Sequence, residues 1–137
     1  MSAQSTAGPG PMLQVRGISR SFGSGDTAVQ ALRDVWFDVA PGTMVALVGR
    51  SGSGKTTLLN VVGGLDRPDA GNVIVDGTDV TALDEDGLSQ LRRTTVSYIF
   101  QTFGLIPVLS AAENVGVPMR MNKTPVEERE RRVELLL

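Results

Sequence analysis

The 137 residues carry 13 Lys and Arg against 15 Asp and Glu, a net charge of -2, with the basic positions scattered along the chain. Nucleic acid backbones are held by clustered positive charge, so this balance argues against nucleic acid as a partner. The sequence has neither cysteine nor histidine, which excludes disulfides, thiolate metal sites and histidine acid-base chemistry, while its 41% hydrophobic content is enough for one core.

Residues 1–11 are small and polar, with no charged start and no apolar stretch, so they are expected to be a disordered leader rather than a signal peptide, ahead of one domain over 12–137. The longest uniform apolar run is Met44 to Val48, far short of the roughly 18 to 20 residues that cross a bilayer. From Leu13 to Val39 apolar and polar residues alternate around Gly23-Ser24-Gly25-Asp26, which predicts two antiparallel strands joined by a turn. Pro41-Gly42 makes a further turn. Met44-Val45-Ala46-Leu47-Val48 then reads as a strand buried on both faces.

Lys55 to Val62 has no breaker before Gly63-Gly64 and predicts a helix of two to three turns. Asn72 to Val75 and Asp79 to Thr81 flank Asp76-Gly77, a hairpin dipeptide. Asp84 to Arg93 has its acids early and its arginines late, as a helix dipole favours. Val96 to Phe100 is β-rich and is expected to be a second core strand. Thr124-Pro125-Val126-Glu127 has a capping-box pattern and starts a last helix, in which Glu127 with Arg131 and Glu128 with Arg132 are spaced to pair.

Between the predicted strand and helix, Gly49-Arg50-Ser51-Gly52-Ser53-Gly54-Lys55-Thr56 fits G-x-x-x-x-G-K-[ST]. Its glycines let backbone N–H groups approach phosphate oxygens, and the helix start adds unpaired N–H groups and partial positive charge. Lys55 supplies a cation for the β- and γ-phosphates, and the Thr56 hydroxyl a ligand for Mg2+. The bland alternative is a Gly/Ser linker that matches by accident, but a linker needs no strand before it and no helix after it.

Around this loop, Val45 to Leu59, Gly63-Gly64-Leu65-Asp66-Arg67-Pro68, the hairpin Gly71 to Gly77, and Tyr98 to Pro107 through Glu113-Asn114-Val115 together resemble the ATP-binding subunits of ABC transporters. The resemblance covers nearly everything from Leu13 to Leu137. It looks most like the subfamily serving lipoprotein release and macrolide-type export. It implies an α/β P-loop NTPase core with an antiparallel β-subdomain and the start of a helical subdomain, incomplete at the C-terminus.

The resemblance also implies the site. ATP and Mg2+ are the expected cofactors, held by Gly49, Ser51, Gly52, Ser53, Gly54, Lys55, Thr56 and Thr57, with Phe22 where the family stacks an aromatic ring on adenine. Gln101 matches the glutamine that contacts Mg2+ or the attacking water. Phe103, Leu105, Ile106, Pro107 and Val108 fall where the family faces its transmembrane permease, and a second ATP-binding subunit is the expected dimer partner. That places the chain in the cytoplasm, on the inner face of the plasma membrane. The Walker B Asp-Glu pair, the LSGGQ-type signature and the switch histidine have no match in the sequence. Val73-Ile74-Val75-Asp76 imitates the first but runs into Gly77. The chain is therefore expected to stop short of the hydrolytic residues. A catalytically inactive fragment that binds at most nucleotide or partner is the alternative to a working ATPase subunit.

Overall fold

The computed structural model describes residues 10–102 and 104–137. Most of the expected leader, and Phe103, lie outside the described residues. The chain divides into two compact units, one up to Val96 and one from Ser97 to Leu137.

In the first unit, β1 (Leu13–Phe22) pairs antiparallel with β2 (Val29–Val39) and, on its other edge, with β3 (Ala70–Val75). The short β4 (Thr78–Asp79) extends the sheet to the order β2-β1-β3-β4. Val75 and Thr78 are partners across Asp76-Gly77, whose φ values of 46° and 76° make the type I′ turn that the dipeptide predicts. Val15 and Ile18 are both fully buried although three positions apart. The reason is a bulge: Gly17 takes φ 63°, the register with β2 shifts between Val15 and Ile18, and the extra residue returns Ile18 to the inner face.

Helix α1 (Lys55–Val62) lays Leu58 and Val61, one turn apart, into this core beside Val15, Ile18, Leu32 and Val73. Helix α2 (Glu85–Thr94) adds Leu88 and Leu91. Its N-terminus is capped by Asp84, which accepts from the Gly87 N–H at 2.8 Å. In the second unit, α3 (Ala111–Met121) packs on α4 (Val126–Leu136), with Gly116 buried where Arg129 and Val133 approach. No helix among the described residues is long and apolar enough to cross a membrane.

Four expectations are corrected. Residues 44–48 form no strand: Met44 is 97% and Val48 93% exposed. A strand needs a ladder partner, and none of the described strands pairs with this segment. The same holds for residues 96–100, which are irregular, with Ile99 exposed. The last helix begins at Val126 after Pro125, without a side-chain cap from Thr124. Of its two spaced pairs, Glu128 and Arg132 meet at 2.7 Å, whereas Glu127 and Arg131 form no ion pair.

The capping box instead belongs to α3, a helix the sequence reading did not anticipate. Ser110 accepts from the Glu113 N–H at 3.3 Å, and Glu113 accepts from the Ser110 N–H and hydroxyl, each at 2.8 Å. These two donors, the backbone N–H first, hold the Glu113 carboxyl below its usual value.

Two measurements test this packing. Ile18→Ala should cost about 2 to 5 kcal/mol in denaturant unfolding, and a loss below about 1 kcal/mol would contradict its core position. A folded-state pKa below the unfolded one means that the Glu113 cap stabilises fully above the ordinary carboxylate range and is lost as pH falls through the depressed value. Amide protection in the first turn of α3 should therefore weaken on acidification in the wild type and not in Glu113→Gln.

Candidate nucleotide-binding site

The phosphate loop spans 49–56 and ends in α1, whose N-cap is Gly54. Gly54 sits at φ 86°, and a Cβ there would run into the Ala31 carbonyl oxygen of β2 and approach the Leu32 side chain. Glycine is thus required by conformation and by space, and the loop is pinned where β2 passes beneath it.

Within the loop, the Lys55 ammonium donates to the Gly49 carbonyl at 2.8 Å and the Arg50 carbonyl at 2.7 Å, and the Ser53 N–H donates to the Arg50 carbonyl at 3.2 Å. The lysine holds the loop curled around its own charge. α2 and α3 have side-chain caps from Asp84 and Ser110, whereas no side chain caps α1. Its first-turn N–H groups and positive dipole end are left without a protein acceptor from the cap, a donor set that suits a phosphate group. Thr56, exposed in that first turn, offers a hydroxyl of the kind Mg2+ takes, and Thr57 is half-buried beside it.

Phe22 ends β1, is 45% exposed, and faces Val29 of β2 across the ladder. Val29 lies two residues along β2 from Ala31, roughly 7 Å at strand rise. One strand therefore carries both the partner of the aromatic ring and the carbonyl that pins the phosphate loop. Gln101 stands in the second unit, exposed in a bend. Beyond it Leu105, Ile106 and Val108 are exposed, the first two lining an open depression of about 490 Å³ with Pro107 and Leu109. Asn114 shapes this loop: its amide donates to the Ile106 and Leu109 carbonyls at 3.2 and 3.0 Å, and its carbonyl accepts from the Ile106 N–H at 2.8 Å. Asp76, the imitation of a Walker B aspartate, is a turn residue whose N–H donates to the Met12 carbonyl.

The sequence reading missed Arg20. Its guanidinium lies over the Phe22 ring, 4.8 Å from the centroid, and pairs with Asp66 and Asp69. Those carboxylates are far away in sequence, and no short motif signals the contact.

A sequence profile described as ABC transporter matches residues 32–137. The macrolide export ATP-binding/permease protein MacB of Sodalis glossinidius is 46% identical over 127 residues, which are 93% of this chain and 19% of that protein. The protein of the same name from Azoarcus sp. is 43% identical over 136 residues, 99% of this chain and 21% of its own. A solved ATP-binding cassette, dimeric in a post-hydrolysis state and bound to ADP and Pi, matches with a TM-score of 0.83 at 36% identity, covering 89% of this chain and 54% of that one. The chain thus spans about a fifth of these curated relatives and about half of the cassette.

Gly54→Ala should destabilise the fold by at least about 1 to 2 kcal/mol, the cost of a left-handed residue bearing a Cβ, and should also weaken phosphate binding. Gly52→Ala is the control. Gly52 has φ 78° but open space around its Cβ position, so the extra loss at Gly54 in thermal melts reports the crowding against Ala31 and Leu32.

Proposed function

The chain belongs to the ABC transporter family, and we propose that it binds MgATP in a cassette that dimerises around nucleotide and drives export through a membrane-embedded permease. The observation that carries this reading is the phosphate loop. A helix start without a side-chain cap, a glycine turn close against β2 and a lysine fall together within residues 49–56.

On binding, Lys55 exchanges its hydrogen bonds to the Gly49 and Arg50 carbonyls for phosphate oxygens, while the first-turn N–H groups of α1 take up the remaining lone pairs. Gly49, Ser51, Gly52 and Ser53 line the loop, and the adenine base lies against Phe22. Bound Mg2+ would neutralise phosphate charge, with the Thr56 hydroxyl as the group of α1 offered to hold it and Thr57 next in the helix; Gln101 is proposed as a further ligand on the family resemblance alone. The exposed apolar loop 105–108 is the surface for the permease, since such a patch beside a shaped depression suits a protein partner. Docking there would keep the chain on the inner face of the plasma membrane.

Residues 1–137 are assigned binding rather than turnover. Water activation in the family requires a carboxylate at the end of a core strand, and the sequence that imitates it here forms β3 and the Asp76 turn. The purified chain should bind ATP with Mg2+ in titration calorimetry, and Lys55→Ala should weaken that binding about ten- to a hundredfold, the worth of a charge-assisted hydrogen bond. Phosphate release should stay at the level of the Lys55→Ala control. Lys55-dependent turnover would mean that another carboxylate of these residues activates water.

A further inference from the structure

We infer that Arg20 is a positioning residue for the base-binding ring, clamping Phe22 on one face so that its opposite face is presented as a fixed platform. The inference rests on the proposal that Phe22 receives adenine, and it deepens that proposal by naming what holds the ring.

Phe22 is a half-exposed side chain at the end of β1, where packing alone restrains a ring poorly. An unrestrained ring must lose rotamer freedom when a base stacks on it, and that loss weakens binding. Arg20, two residues earlier on the same strand, sets its guanidinium 4.8 Å from the ring centroid, within the roughly 6 Å over which a cation is attracted to a π-face. The guanidinium itself has no freedom to spare. Its Nε and Nη2 donate to the two oxygens of Asp66 at 3.0 and 2.8 Å, and its Nη1 donates to Asp69 at 2.9 Å. All three nitrogens are engaged, in the forked geometry that only arginine provides.

The acids are anchored in turn. The Leu65 and Asp66 N–H groups donate to the carbonyl of Asn60 in α1, at 2.8 and 3.2 Å. Asp69 donates its N–H to the Ser19 carbonyl at 2.8 Å, and its second oxygen accepts from the Ser21 N–H at 2.6 Å. A continuous path thus runs from α1, which carries the phosphate loop at its other end, through Asp66 to Arg20 and the ring. Asp69 is held below the ordinary carboxylate range, by Arg20 first and the Ser21 N–H second, so it stays charged at neutral pH. With one face covered by a cation, the ring has one face left for a base, and the cation draws electron density from it in a direction that favours a stacked purine.

The test compares affinities for ATP and for inorganic tripolyphosphate, both with Mg2+, on the full chain. Tripolyphosphate has no base, so it reports the loop and the fold. Arg20→Met should lower ATP affinity about two- to fivefold, the worth of an exposed cation–π contact, and leave tripolyphosphate affinity unchanged. Asp66→Asn, which keeps Arg20 but weakens its fork, should shift the same ratio in the same direction. In a Phe22→Ala background, Arg20→Met should have no further effect on the ratio. If Phe22→Ala changes the ratio but neither Arg20→Met nor Asp66→Asn does, the clamp is wrong and the base contact stands. If Phe22→Ala leaves the ratio unchanged, the base contact fails and the clamp with it. Equal losses for both ligands in both single variants would make the network a structural tie only, overturning the inference.

Discussion

The close approach of Gly54 to the Ala31 carbonyl is where the sheet and the phosphate loop meet, and the geometry of the site follows from it. The left-handed turn at Gly54 brings the chain down onto β2 and starts α1 immediately afterwards, so the direction of the helix is set at the loop's last residue. Four and seven residues farther on, Leu58 and Val61 make the burial against Val15, Ile18 and Val73 that holds the helix down. The loop thus inherits its position from apolar packing about one turn away, while its polar face remains open. Burial of the two side chains contributes a few kcal/mol by area, about as much as the turn and the exposed loop can cost.

A comparison of the three helix starts separates stability from function. Asp84 and Ser110 each cap their helix with a side-chain oxygen, a device worth about 1 kcal/mol. α1 gives up that oxygen for a glycine, which costs only a few tenths of a kcal/mol relative to a good cap. The N–H groups it leaves open are the ones that a phosphate can satisfy. Lys55 meanwhile occupies the Gly49 and Arg50 carbonyls of the loop. A cation held inside the loop and a helix start without a side-chain cap are the two features that suit an anion.

Legibility from the sequence followed the range of the interactions. The β1 and β2 alternation, the Asp76-Gly77 turn, α1 and α2 were all readable, because each is dictated within a few residues by periodicity, turn chemistry or capping. The phosphate loop was readable for the same reason. The bulge at Gly17 was not, since it appears only as the displaced burial of Ile18 against two neighbouring strands. α3 carries a legible Ser110-Ala111-Ala112-Glu113 signal, but Gly116 and Pro118 weaken the pattern after it. Arg20 lies 46 residues from Asp66 and 49 from Asp69, so its fork could be found only in three dimensions.

Residues 44–48 illustrate what composition can and cannot say. Met44, Val45, Leu47 and Val48 have the side chains of a buried strand, yet a strand is a property of pairs, and these residues have no ladder among the described strands. The loop that follows is nevertheless formed, with the Ser53 to Arg50 turn and both Lys55 contacts to carbonyls in place. Its shape therefore depends on glycine conformation, the helix start and β2, and not on the strand that the motif is usually read with. The proposed anion binding then rests on residues 49–56 and their seat on β2. Pairing of 44–48 would add burial and rigidity to a loop that is already folded, and so bears on how firmly the proposed phosphate site is held rather than on its formation.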